Sequence, residues 1–138
     1  MRPSGITEVI RQEVLPRDSR YAVEAYEFVL DAWQHTQRIL GRKLERGKIP
    51  ESPSYHVTGR QLLEGVRQLA IREFGLMART VLGRWGVNAT DDIGEIVYNL
   101  ITADLMSKTD EDTKQDFHNV FDLDKALTHG FEIKLEEL

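Results

Sequence analysis

The stretch SRYAVEAYEFVLDAWQHTQRILGRKLER, residues 19–46, decides the fold. Ala22, Tyr26, Val29, Trp33, Thr36 and Leu40 recur at steps of four and three, which draws a heptad-like seam down one side of a helix. Val23, Phe28 and Leu30 lie off the seam and widen the apolar arc. A wide arc predicts burial on two sides inside a domain more than an isolated coiled coil, although the same seam could serve a dimer. The helix is expected from near Ser19 to about Arg46. Arg38, Arg42, Lys43 and Arg46 crowd its tail, where cations complement the negative end of the helix dipole.

Upstream, Ile6, Val9, Ile10 and Val14 predict a helix from near Gly5 to Leu15, with Ser4 able to cap it and Pro16 ending it. Downstream, Gly47, Pro50, Ser52, Pro53 and Ser54 mark residues 47–57 as a linker. Thr58 then opens a third helix. Thr58 and Gln61 form a capping box, and Val57 and Leu62 a hydrophobic staple across it. Leu62, Val66, Leu69, Ala70 and Phe74 line one face up to Gly75. A fourth helix is expected over residues 76–85, where Met77, Val81 and Trp85 stand four apart and Gly86 follows. Thr90, Asp91 and Asp92 begin a fifth, with Thr90 as cap and the acids at the positive end of the dipole. Its apolar face is Ile93, Ile96, Val97, Leu100, Ile101 and Leu105. Asp122 can cap a short sixth helix ending at Gly130. Residues 131–135 alternate with period two and could form a strand, for which 55–57 or 119–123 are the candidate partners.

The expected class is therefore mainly α: a compact multi-helix domain of about five to six helices. A short C-terminal strand and a winged-helix-like second half remain open additions. The whole of 1–138 is expected to be one domain, with a helical N-terminal region over residues 1–46, the linker over 47–57 and a helical C-terminal region over 58–138.

Composition bounds the chemistry. The 138 residues are 41% hydrophobic and 30% charged, a globular balance. Cysteine is absent, which excludes disulfides, thiolate catalysis and cysteine-bound metal. No stretch approaches the roughly 18 apolar residues that span a bilayer, and the first residues do not read as a secretory signal. A cytoplasmic location without membrane association is the expectation.

Charge is unevenly spread within the net −5. Residues 37–85 hold ten basic and four acidic side chains, a net of +6. Residues 86–138 hold four basic and thirteen acidic, a net of −9. Such a split signals electrostatic pairing, either within the fold or with a partner. The candidate basic face is Arg60, Arg67, Arg72, Arg79 and Arg84, joined by Lys48 from the linker. The candidate acidic patch is Asp110, Glu111, Asp112 and Asp116.

Catalytic and cofactor signatures are missing. No two of His35, His56, His118 and His129 stand one helical turn apart, as paired zinc ligands would. His118 lies near Asp116, Asp122 and Asp124 in sequence, and an acidic solvated loop explains that grouping without a metal. The run from Asp110 to Asp116 lacks the glycine of a calcium loop. Gly83 and Gly86 suit helix ends better than a phosphate loop. No catalytic residue, metal or cofactor is expected. A winged-helix core would send the fifth helix into DNA, yet that helix carries Asp91, Asp92, Glu95 and Asp104, which phosphates repel. Trp33 and Trp85 are core pieces by default, or interface anchors if exposed.

The segments YAVEAYEFVL from Tyr21, HVTGRQLLEG from His56, WGV from Trp85, DIGEIVYNL from Asp92 and KTDED from Lys108 carry a resemblance. Over about residues 8–128 the chain resembles a family of short uncharacterised proteins from planctomycete and verrucomicrobial bacteria. The resemblance implies a bacterial cytosolic source and no catalytic assignment. Two functions follow from the residues. The first is a non-enzymatic helical module that binds a protein partner or its own copy. The second is a nucleic-acid-associated regulator acting through Arg60, Arg67, Arg79 and Arg84.

Overall fold

The computed structural model describes residues 4–47, 57–106 and 114–128. They contain five α-helices: α1 (Ser4–Val9), α2 (Val23–Gly47), α3 (Gly59–Phe74), α4 (Ala78–Arg84) and α5 (Thr90–Thr102). A π-turn, Ile10–Val14, continues α1, and 3-10 turns occupy Gly75–Met77 and Lys114–Phe117. Residues 123–128 form a further short helix. The fold is mainly helical, and no strand occurs among the described residues. Residues 119–123, a candidate partner for a strand, are instead a turn leading into that last helix. The candidate strand 131–135 and most of the linker lie outside the described residues.

The long α2 is central. Tyr26, Val29 and Thr36 of the seam are buried, and so are Ala25, Phe28, Leu30 and Ala32 beside it. One flank packs on α3 and the other on α5, which is why the apolar arc is wide. α2 and α3 come close together where Gly65 faces Thr36. A Cβ on Gly65 would stand 2.1 Å from the Thr36 hydroxyl oxygen and 3.5 Å from the Ala32 carbonyl oxygen. The Thr36 hydroxyl itself donates to Ala32 O at 2.7 Å, so its proton is satisfied inside α2.

α2 starts four residues later than the sequence predicts. Tertiary partners claim the preceding backbone: Ala22 N donates to Trp85 O at 3.0 Å, and the Tyr21 phenol donates to Asp92 Oδ1 at 2.7 Å. α3 starts as predicted. Thr58 accepts from Gln61 N at 3.1 Å, Gln61 Oε1 accepts from Thr58 N at 2.9 Å, and Val57 and Leu62 are both buried.

α4 ends in a Schellman turn. Gly86 N donates to Gly83 O and Val87 N to Leu82 O, while Val87 and Leu82 pack in the core. Gly86 has φ +95°, and a Cβ there would lie 2.3 Å from Arg20 O, so glycine alone fits. α5 ends the same way, with Asp104 N bonded to Ile101 O and Leu105 N to Leu100 O. The left-handed residue here is Asp104, at φ 61°.

The expectation that Thr90 caps α5 is corrected. Ala89 holds the cap position, and the Asp92 carboxylate accepts from Asn88 N at 2.8 Å and Ala89 N at 3.1 Å. Thr90, with 0% exposure, is turned inward to hold residues 114–128. Its hydroxyl donates to Phe117 O at 2.6 Å and accepts from Val120 N at 3.0 Å. Phe117 fits because two helices give way: a Cβ on Gly94 would lie 2.8 Å from Phe117 Cβ, and one on Gly59 3.3 Å from its ring. The last helix is capped as predicted, with Lys125 N on Asp122 Oδ1 at 3.2 Å.

Candidate interaction surface

The corner between α3 and α4 is built by one backbone feature. Gly75 at φ 54° ends α3, and the tight turn Gly75–Met77 follows at once. Ala78 and Leu82, both 1% exposed, then fix the inward face of α4. That register corrects the pattern read from Met77, Val81 and Trp85. Met77, Thr80 and Arg84 lie at helical spacing on the opposite, exposed line, while Val81 and Trp85 are half-buried at its edge. Leu76 is 75% exposed and Met77 56%. Just before the corner in the chain, Phe74 clusters with Phe28 and Trp85, in tilted and edge-on pairs with ring centroids 5.6 Å apart.

Tyr98 is the third large exposed hydrophobic, at 53%. Its ring already carries a cation, because Lys114 Nζ stands 4.4 Å from the ring centroid while pairing with Glu95 at 3.1 Å. Leu76 and Met77 have no such cover from the described residues.

The five arginines of the candidate basic face differ in their partners. Arg67 pairs with Glu64 one turn back on α3. Its presence holds the Glu64 carboxyl below the usual carboxylate range. Arg79 Nε pairs with Asp124 at 2.6 Å, and its other nitrogens reach Val87 O and Asn88 Oδ1 at 3.3 and 3.0 Å. Arg60, Arg72 and Arg84 are exposed and form no ion pair among the described residues. Among the described residues, Arg79 is the one of these five that pairs with the acidic third. In sequence, Arg72 and Arg84 stand on either side of Leu76 and Met77.

The acidic candidates fare differently. Asp110, Glu111 and Asp112 lie outside the described residues. Asp116 packs beside α3, where a Cβ on Gly59 would stand 3.1 Å from Asp116 Cβ. His118 turns away from a metal-like grouping. Its Nδ1 lies 2.7 Å from Asp91 Oδ2, and Asn119 N donates to Asp91 Oδ1 at 2.9 Å. The Asn119 N–H, then His118, keep the Asp91 carboxyl below its ordinary pKa. No group of three or more metal-ligating side chains converges among the described residues. None of the described helices is long and apolar enough to cross a membrane.

One polar network has no signature in the sequence. Arg20 joins Asp18 at 2.7 Å and Glu95 at 3.1 Å, and Asn99 Nδ2 donates to both Asp18 Oδ2 and the Tyr26 hydroxyl at 3.0 Å. The Arg20 guanidinium holds the Asp18 carboxyl well below the usual range. Burial, then the bond to Asp92, pushes the Tyr21 phenol up. This network ties the loop before α2 to α5. Its acids, Asp18, Asp92 and Glu95, are all engaged by internal partners. No protein-family model, no curated protein and no solved structure matches the chain.

Proposed function

We propose that this protein is a non-enzymatic helical interaction module that binds another protein through the α3–α4 corner. The observation that carries the reading is the exposure of two adjacent large apolar side chains, Leu76 and Met77, on the turn that joins α3 to α4. Isolated exposed apolar residues are ordinary. An adjacent pair, flanked in sequence by arginines without an ion pair among the described residues, has the composition of an interface anchor: Met and Arg are enriched at interfaces, and apolar anchors seat in partner pockets. The partner is a protein with an apolar patch, because both projecting side chains lose water only against apolar atoms.

Photo-crosslinking in the cell of origin tests this. The benzophenone amino acid is placed at Leu76, and separately at Arg11 as an exposed control. A discrete adduct at Leu76 that is absent at Arg11 and disappears with Met77→Asp supports the reading. Equal adducts at both positions, no adduct at Leu76, or an adduct indifferent to Met77→Asp overturns it. Met77→Asp should leave stability within about 0.5 kcal/mol of the parent, since exposed sites rarely matter more, so loss of the adduct reports the surface and not the fold.

A further inference from the structure

Residues 114–128 are held by the rest of the domain in an unusual way. Among the described residues, no backbone-to-backbone hydrogen bond ties them to it. Side chains of the body grip their backbone instead. Two consecutive residues at the start of α5 engage residues 117–120. The Thr90 hydroxyl donates to Phe117 O and accepts from Val120 N, while the Asp91 carboxylate accepts from Asn119 N and faces His118 Nδ1. Asn119, at φ 45°, makes the turn that offers these two successive amides. The buried Phe117 side chain is the anchor. Its socket exists because Gly59 on α3 and Gly94 on α5 lack side chains: a Cβ at Gly59 would stand 3.3 Å from the ring, and one at Gly94 2.8 Å from Phe117 Cβ. Backbone groups fixed by side chains, with one aromatic anchor in a pocket, are how a protein holds a peptide.

The body has its own core. Its most deeply buried large side chains run from Ile10 to Leu100, and none belongs to 114–128. The flanking ion pairs, Lys114 with Glu95 and Arg79 with Asp124, lie at the surface, where such pairs contribute little. A segment fastened in this manner opens before the helices that carry it.

We propose that the socket between α3 and α5 is a peptide-binding site, that residues 114–128 occupy it as an exchangeable strap, and that the strap of a second copy of this chain takes it when the resident one leaves. The site asks for an aromatic side chain with its carbonyl available and for amides two and three residues later. Phe117, Asn119 and Val120 supply them, and every copy carries the same set. Reciprocal exchange reproduces each contact and closes a two-fold dimer. The parent stays mainly monomeric, because its own strap is tethered beside the site at high effective concentration. This site is separate from the exposed turn at Leu76 and Met77 and does not depend on it.

The experiment mixes two full-length variants. Phe117→Ala keeps the socket and removes the anchor; Gly94→Val fills the socket and keeps the anchor. Neither can complete a site with its own kind, but the first can receive the strap of the second. Light scattering and native mass spectrometry at about 100 μM, which fills a micromolar site, should show monomers for each variant alone and a one-to-one heterodimer on mixing. Adding Gly94→Val to the Phe117→Ala chain should abolish the heterodimer. No heterodimer from two helical variants overturns the proposal, and so does one that persists with the doubly substituted chain. Circular dichroism checks the fold. If Gly94→Val loses helix, Gly94→Ala, whose Cβ alone overlaps Phe117, takes its place. Loss of helix in Phe117→Ala also overturns the proposal, because the body would then need the strap in order to stand. In the parent, the Val120 amide should exchange its hydrogen faster than amides central to α3 and α5; exchange as slow as theirs shows that the strap never opens by itself and sinks the idea.

Discussion

Replacing Gly65 with alanine should change sign according to what stands at position 36. In the parent, the new methyl would be built 2.1 Å from the Thr36 hydroxyl oxygen. Thr36 must rotate and give up its bond to Ala32 O, or α2 and α3 must separate. Overpacking of this kind costs about 1–3 kcal/mol. Against that, alanine is better than glycine inside a helix by about 0.8–1 kcal/mol. The net is a destabilisation of roughly 1 kcal/mol. With Thr36→Ala already present, the offending oxygen is gone. The remaining neighbours, Ala32 O and the Cβ at position 36, both lie at 3.5 Å, an ordinary contact. Gly65→Ala should then stabilise by about 0.8–1 kcal/mol. Urea unfolding of the four proteins, followed by helical circular dichroism, gives the coupling energy directly. The result that refutes the reasoning is the same penalty for Gly65→Ala in both backgrounds, which would mean that the helices do not meet at this pair.

Asp104→Gly should stabilise the protein by about 0.5–1 kcal/mol, because it relieves a left-handed residue and removes a negative charge from the C-terminal end of α5; a thermal melt raised by a few degrees checks it. Phe117→Ala should cost about 3–5 kcal/mol, the usual penalty for emptying an aromatic site, and chemical denaturation of the variant measures it. The Asp18 carboxyl is lowered in the folded state relative to the unfolded chain. Its contribution is therefore complete above the unfolded pKa of about 3.9 and is lost as pH falls through the folded value. Stability measured from about pH 5 downward should decline less steeply in Asp18→Asn than in the parent, through the range where carboxylates titrate.

How much of this the sequence discloses depends on how local the cause is. The capping box of Thr58 and Gln61 is four residues long and needs nothing else, so it is readable. The wide arc of α2 is likewise written in its own spacing. α4 is different. Its register depends on the tight turn after Gly75, which rotates Met77 outward, and a four-residue ladder read without that turn points to the wrong face. Thr90 reads as a cap because caps are local; its real partners, Phe117 and Val120, are far along the chain. Arg20 and Glu95 are 75 residues apart, and nothing in either neighbourhood announces the other. As for the candidate surface, charge singles out Arg72 and Arg84, but no sequence pattern separates them from Arg67 and Arg79, whose partners are set by α3 geometry and by Asp124. Leu76 is silent in the sequence because a lone leucine after a glycine carries no periodic signal.

The single hydroxyl of Thr90 ties α5 to residues 117–120, and this has a consequence for how the molecule breathes. The Val120 amide lies in a turn, where hydrogens ordinarily exchange with solvent in moments. Its acceptor is fully enclosed, however, so deuterium can reach that nitrogen only when α5 loosens its hold on residues 114–128. A slow-exchanging amide should therefore stand isolated among fast neighbours, and Thr90→Val should erase it while leaving the helices' own protection intact.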